Sequence, residues 1–245
     1  MGAKKLLKLI HADLYRCFHR LYLYLLAGAL AGLCLLLSFQ FRRQGDITAA
    51  QAWTFALTQL FGYPLLVIPM LPDIVFTEES REHTLKNTVA FGVSRVELYV
   101  SKALTAILLG LLLAAAALAV YCGGTLLLLP RGPVFAGGLA GQFFGRFAAL
   151  CSVYVGAVAV AALFTVFLHR GALAVFVYYA AVYMSRYLFP LLHLPKAADY
   201  LLVAQVRPIV SGAPDAVRQA VLISLATLAA FLTLGAACFR RRDVA

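Results

Sequence analysis

The side chains that could do chemistry in this sequence are concentrated between Thr77 and Lys102, which reads TEESREHTLKNTVAFGVSRVELYVSK. The stretch holds eight of the chain's 31 charged residues in 26 positions. Adjacent carboxylates at Glu78 and Glu79 could activate a water molecule, and Ser94 could act as a nucleophile beside a suitable base. The same charges could instead form a surface that binds another protein.

Catalysis within the membrane is the weaker of these two interpretations. The paired glutamates are similar to those of CAAX-type membrane proteases, which carry Glu-Glu-x-x-x-Arg, but this sequence has His83 at the arginine position. Ser94 is explained as a helix cap, and the five histidines are dispersed along the chain. The sequence therefore predicts no cluster of catalytic groups.

No cofactor or metal site is predicted either. The cysteines stand singly, without a Cys-x-x-Cys motif or Cys/His spacing, at Cys17, Cys34, Cys122, Cys151 and Cys238. Most of them lie in apolar segments, where a thiol behaves as a small hydrophobic group. The sequence also contains no G-x-x-x-x-G-K-[S/T] loop for nucleotide phosphates, so any ATP hydrolysis must come from another polypeptide.

The overall composition is typical of a membrane protein. Hydrophobic residues occupy 63% of the 245 positions, and the mean hydropathy is +0.90, whereas soluble domains are about 45–50% apolar. The excess apolar surface must face lipid. The formal net charge of +11 does not indicate nucleic acid, because the basic residues are scattered between apolar runs. Contact with anionic membrane lipid explains them better.

Six segments are long enough to cross the hydrocarbon core, which takes about 20 apolar residues. They are Leu21–Phe41, Phe55–Phe76, Leu98–Leu129, Phe143–Leu168, Ala172–Leu192 and Ala216–Phe239, called spans 1 to 6. We therefore predict an all-α, polytopic membrane protein made of a single transmembrane domain over residues 1–245. An even number of spans places both termini on the same side of the membrane.

The distribution of lysine and arginine predicts which side that is. Thirteen of the 21 lie in the N-terminal segment, the 77–102 stretch, the turn at Arg170 and the C-terminal tail, and eight lie toward the opposite side. The excess predicts cytoplasmic termini in a plasma membrane, bacterial in type. Residues 77–97 then form the largest cytoplasmic loop, and residues 193–215 are extracellular.

Residues 1–20 are predicted to form an amphipathic helix in the inner membrane interface. The apolar stripe consists of Leu6, Ile10, Leu14, Cys17 and Leu21. Lysines, arginine and histidine occupy the other faces, a pattern typical of helices that lie on a lipid surface.

The 77–102 stretch is predicted to contain a second amphipathic helix, followed by a firmly defined start of span 3. Leu85 and Val89 begin an apolar series at helical spacing, and Gly92 suits the C-cap of a short helix. Ser94 and Glu97 have the spacing of a capping box, in which each side chain pairs with the backbone N–H of the other. One interpretation is a solvated interfacial helix, and the other is a docking element for a soluble partner.

These residues resemble the type-2 ABC exporter permeases. The family pattern is approximately E-x-x-x-G-T-L-K, a spacer, P-V-S-R and a lysine that opens the next helix. The corresponding residues here are Glu79, Thr84, Leu85, Lys86, Val93, Ser94, Arg95 and Lys102. The sequence differs at His83, where the family usually has glycine, and at Gly92, where it often has proline. Both differences fall at turns, so they concern the shape of the loop more than its role.

The resemblance implies that residues 77–97 include a coupling helix that docks onto a separate ATP-binding subunit. The expected coupling residues are Glu79, Glu82, Thr84, Leu85, Lys86, Val89, Ser94 and Arg95. The two glutamates would meet polar groups at the rim of a groove, and Leu85 and Val89 would enter its apolar floor. The family also implies a connecting helix at the N terminus and export of an amphipathic or hydrophobic substrate such as a peptide, antibiotic or lipid. Six spans are few to enclose a pathway, so a second permease copy, identical or homologous, is expected.

Several residues inside the spans are candidates for special roles. Asp73 and Arg186 are charged within apolar segments, where an ionisable residue is a functional candidate by default. For Asp73 we favour a solvated or paired structural role. Arg186 is predicted to extend toward the interface within an outer belt formed by Tyr178, Tyr179, Tyr183 and Tyr187.

Proline and glycine predict how the spans bend and pack. Pro64, Pro69 and Pro72 should make span 2 irregular toward its cytoplasmic half, and further prolines should break residues 185–215 into short pieces. Gly28 and Gly32, spaced four residues apart in span 1, predict close helix packing, with subunit contact as the alternative.

The main rival to a permease is a membrane assembly or sensor protein without a transport role, since fold alone does not determine function. Co-purification with an ATP-binding subunit separates the two.

Overall fold

The computed structural model describes residues 3–81, 93–132, 138–168, 171–193 and 195–241. Within these ranges the regular secondary structure is helical, with no strand. Six helices are long and apolar enough to cross a membrane, which confirms the predicted all-α fold. They are Leu21–Gln44, Ala49–Phe76, Arg95–Leu128, Leu139–Leu168, Ala172–Phe189 and Pro214–Arg240. We call the end of the bundle that carries both chain termini the terminal end, and the opposite end the distal end.

An additional helix, α1 (Ala3–Phe18), precedes span 1. Its predicted stripe is confirmed at Ile10 and Cys17, which are buried, while Leu6 and Leu14 are partly buried. Leu21 departs from the prediction and is 71% exposed, because a turn at residues 19–20 separates α1 from span 1. Thus α1 packs its stripe against the protein and not only against lipid.

Span 4 is the centre of the bundle. In its most apolar 18-residue stretch 56% of the residues are buried, whereas the corresponding share in spans 1 and 6 is 11%. It packs against spans 6, 5, 3 and 2, whereas span 1 packs mainly on span 3. Small residues permit this packing, since a Cβ added at Gly156 would lie 3.0 Å from the Ser224 carbonyl oxygen. The exposed apolar faces of the outer spans are suited to lipid.

Span 2 is broken, as its prolines predict. It consists of α3 (Ala49–Gln59), a 3₁₀ turn (Leu60–Gly62), α4 (Pro64–Val67) and α5 (Met70–Arg81). Its start at Ala49 is six residues earlier than predicted, because Thr48 and Gln51 form a capping box that the sequence analysis missed. The break begins near the middle of the span, further from the terminal end than predicted.

Span 5 is also irregular. It is formed by helices Gly171–Tyr179 and Ser185–Leu191, which are joined by a π-helical turn over Ala180–Met184. After it come the predicted short pieces, which are Pro195–Ala198, a 3₁₀ turn over Leu202–Gln205, and Val206–Ser211. Arg146 of span 4 donates to the carbonyl of Val210 at 2.8 Å and fixes the last of these pieces to the bundle.

Candidate functional site at the terminal end

Lys102, in the third turn of span 3, is the centre of the polar contacts at the terminal end. Its side chain is only 1% exposed, and its Nζ lies 3.6 Å from Oδ1 of Asp13 in α1. The same Nζ donates a hydrogen bond of 3.3 Å to the carbonyl oxygen of Val75 in span 2. A buried charge is tolerated only when it is paired and hydrogen-bonded, and this one joins three separate elements. We call Asp13, Lys102 and the Val75 carbonyl the terminal latch.

Arg20 adds a second connection between the N-terminal region and span 2. Its guanidinium Nη1 donates to the carbonyl oxygen of Ile74 at 2.7 Å. Consecutive carbonyls, those of Ile74 and Val75, thus accept hydrogen bonds from two different basic side chains. The last helix of span 2 is therefore fixed to α1 and to span 3 just before the 82–92 segment begins.

The predicted capping box at the start of span 3 is confirmed. Ser94 is the N-cap; its hydroxyl accepts from the Glu97 N–H at 3.2 Å, and its own N–H donates to Glu97 Oε2 at 3.1 Å. Glu97 Oε2 also pairs with Lys5 of α1 at 3.3 Å. That ion pair is partly exposed, and such pairs contribute only about 0–1 kcal/mol. The box defines where span 3 begins, and Lys5 brings α1 next to it.

Most of the predicted coupling residues lie outside the described residues. These are Glu82, Thr84, Leu85, Lys86 and Val89, so the proposed docking helix stays a prediction. Glu79 lies in the last turn of α5, which ends at Arg81. Ser94 and Arg95 open span 3. The described chain thus brings both ends of the 82–92 segment onto elements fixed by the latch.

Asp73 and Arg186 occupy different parts of the bundle. Asp73 is partly buried in the first turn of α5, where the helix dipole favours a negative charge. Arg186 is exposed in the first turn of helix Ser185–Leu191 and belongs to the distal half. The two residues therefore do not form one site.

The prediction of a tyrosine belt around Arg186 was wrong. Only Tyr187 is strongly exposed, at 70%, whereas Tyr178 is fully buried. Tyr178 and Tyr179 turn toward the break in span 2, where their hydroxyls donate to the carbonyls of Leu65, at 3.2 Å, and of Leu66. The sequence did not reveal this role, because a tyrosine near a membrane interface can either face lipid or donate a hydrogen bond to a buried acceptor.

The break in span 2 explains why these hydroxyls are needed. Pro69 has no N–H, so the Leu65 carbonyl loses the donor that an unbroken helix would supply four residues later. Tyr178 supplies that donor. Tyr154 of span 4 likewise donates to the carbonyl of Phe61 at 2.7 Å. Backbone groups in lipid must be satisfied internally, and side chains from spans 4 and 5 do so here.

Comparison with known families assigns the chain to a class. The architecture is that of a multi-pass membrane protein. A family model described as ABC-2 family transporter protein matches residues 18–185, from the last residue of α1 into span 5. The chain belongs to this family, whose members are membrane components of transporters and are not themselves catalytic. No curated protein matches the chain.

Proposed function

We propose that the chain is the permease subunit of an ABC transporter, in which a separate subunit hydrolyses ATP. The terminal end faces the cytoplasm, and the 77–97 region docks onto that subunit. The substrate is amphipathic or hydrophobic and is exported. Membership of the ABC-2 transporter family and the excess of basic residues toward the terminal end support this assignment.

The observation that carries the proposal is the latch formed by Lys102. The 82–92 segment is attached to the end of span 2 on one side and to the capped start of span 3 on the other. Lys102 binds both elements to α1. A displacement of the docked segment would therefore move α1, span 2 and span 3 together, since coupling travels through contiguous packed and hydrogen-bonded elements.

An apolar crevice among spans 1 to 4 supports an amphipathic or hydrophobic substrate. It is narrow, opens to the surroundings and is lined by residues such as Leu30, Pro64, Leu71 and Tyr154. Gly110 of span 3 also lines it, and a Cβ there would lie 2.8 Å from Leu71 Cδ1. The crevice therefore adjoins the broken part of span 2.

Association with a second permease copy is part of the same proposal. The predicted packing role of Gly28 and Gly32 does not hold within this chain, because no described atom outside their own helix lies within 4 Å of a Cβ built at either position. A helix from another copy can approach closely there. Two copies would also supply twelve spans to surround a pathway.

The proposal predicts that a P-loop ATPase is encoded beside this chain, and co-expression of the two proteins tests it. Affinity capture of the detergent-solubilised chain should retain that ATPase, and reconstituted complexes should hydrolyse ATP faster than the ATPase alone. An assembly or sensor protein without a transport role would give no such stimulation. Failure of the two chains to associate in both detergent and lipid would contradict the proposal.

A further inference from the structure

A second crevice lies in the distal half of the bundle and has a different character from the apolar one. It is bounded by the broken part of span 2, the π-helical turn of span 5 and the short pieces over residues 202–211. It is a groove open to the surroundings, and the space along it, including the open volume at its mouth, is about 800 Å³. The remaining wall is mostly apolar, and the residues with polar side chains that line the crevice are Thr58, Gln59, Tyr63, Tyr183, Arg186 and Arg207. No carboxylate from the described ranges lines it.

The crevice extends from the distal interface toward the middle of the membrane. Arg186 is three residues from the end of span 5 at Phe189, which corresponds to about 5 Å along a helix. Thr58 is nine residues from the start of span 2 at Ala49, or about 14 Å. A ligand that fills the crevice therefore has one end near the headgroup level and the other among apolar side chains.

The two arginines have no anion to bind within the described chain. Neither Arg186 nor Arg207 forms a hydrogen bond or an ion pair with another described residue, and both line the same space. Like charges that share a site repel each other, and charged side chains near the membrane interior usually pair. Both side chains are exposed, and extension toward water would explain either arginine alone. Two arginines that line one crevice, with no carboxylate from the described ranges beside them, favour a bound anion.

Tyr183 lies at the same wall and is the second unusual group. Its hydroxyl is shielded from solvent and has no hydrogen-bond partner among the described residues. Buried polar groups in native proteins are nearly always paired. The residue belongs to the π-helical turn Ala180–Met184, and such turns are frequent at functional sites. A small movement of this wall on ligand entry would give the hydroxyl an acceptor.

We propose that this crevice binds the phosphate-bearing headgroup of an anionic phospholipid. The guanidinium groups of Arg186 and Arg207 contact the phosphate, because the planar fork of an arginine matches phosphate oxygens. The Tyr183 hydroxyl donates to a second headgroup oxygen. Leu66, which is 40% exposed, and Val206 contact the upper part of an acyl chain. The site stands whether or not the lipid is itself transported, so it does not depend on the transport function proposed above.

Native mass spectrometry of the full chain, purified in a neutral detergent, tests this site. The probes are phosphatidylglycerol, phosphatidylcholine and inorganic phosphate, each titrated separately. Phosphatidylglycerol should bind most tightly, and R186Q combined with R207Q should weaken it about tenfold or more. Tyr183→Phe should weaken it less. R218Q is the matched control, because Arg218 is an exposed arginine at the distal start of span 6 that does not line the crevice.

The outcomes separate the possible ligands. Loss of phosphatidylglycerol binding in the double variant, with R218Q unchanged, supports the site. Equal binding of both lipids, or an unchanged affinity in the double variant, overturns it. Inorganic phosphate that binds as tightly as the lipid also overturns it, since the apolar wall would then contribute nothing.

Discussion

Lys102 of span 3 and Asp13 of α1 form an ion pair inside the bundle, with 3.6 Å between Nζ and Oδ1. Both side chains are nearly inaccessible to solvent, at 1% and 10% exposure. The pair is the contact by which the N-terminal helix is fixed to the start of a membrane span, beside the segment proposed to dock onto the ATPase. Its removal should therefore affect both stability and coupling.

The first prediction concerns the two partners of that pair. Lys102→Met or Asp13→Leu alone should lower the free energy of unfolding by about 3–5 kcal/mol, because each removes one partner of a buried ion pair. The double variant should recover most of that loss, because two apolar side chains can replace a buried pair. Thermal unfolding in detergent measures all three. Losses that simply add in the double variant would show that the two side chains are not coupled.

The second prediction concerns the capping boxes of spans 3 and 2. Ser94→Ala and Thr48→Ala should each cost about 0.5–2 kcal/mol, because each removes the acceptor for an unpaired backbone N–H. Both variants should still insert into the membrane. Only Ser94→Ala should reduce retention of the ATPase, since Thr48 caps a helix at the distal end. Equal loss of ATPase in both variants would mean that the effect is one of general stability.

The third prediction concerns the break in span 2. Tyr178→Phe should lower stability by about 1–3 kcal/mol, because the Leu65 carbonyl is left without a donor. Pro69→Ala restores a backbone N–H four residues later, so Tyr178→Phe should cost less in that background. Tyr187→Phe is the control, since Tyr187 is 70% exposed. An equal loss of stability from Tyr178→Phe with and without Pro69→Ala would contradict the role of the Tyr178 hydroxyl as the donor to Leu65.

The sequence predicted those features that follow from local patterns. The six spans follow from apolar length, the break in span 2 from its prolines, and the start of span 3 from the spacing of Ser94 and Glu97. The stripe of α1 was also predictable at Ile10 and Cys17. Each of these depends on residues close together in the chain, where periodicity and capping chemistry are informative.

The terminal latch could not be predicted in the same way. Asp13 occupies the buried face of α1, but a lone aspartate beside an apolar stripe indicates no partner. Its pairing with Lys102 is set by how α1 packs onto span 3, and helical periodicity does not encode that geometry. The tyrosines of span 5 were misassigned for a related reason, because their acceptors are carbonyls at the break in a different span, where Pro69 leaves the Leu65 carbonyl without its helical donor. Even so, the missing N–H of Pro69 was a usable signal that a donor was needed.

The fourth prediction concerns orientation. A cysteine introduced at Ser94 in a background without the five native cysteines should resist an impermeant thiol reagent added to whole cells, because the terminal end is proposed to be cytoplasmic. A cysteine at Ala213, an exposed residue at the distal end, should react readily. The reverse pattern would invert the topology and place the 77–97 region outside the cell.

The 77–97 region is proposed to hold the ATPase. The amount of ATPase retained on affinity-captured permease tests this docking role. Leu85→Ala combined with Val89→Asp should release the subunit while leaving a folded six-span protein in the membrane, because truncating a central apolar anchor removes about 2 kcal/mol or more of association. Glu79→Ala should weaken retention only slightly, and more visibly at low salt. Leu127→Ala, at an 87% exposed position near the distal end of span 3, should change nothing. Unchanged retention and unchanged ATP hydrolysis in the double variant would contradict the account.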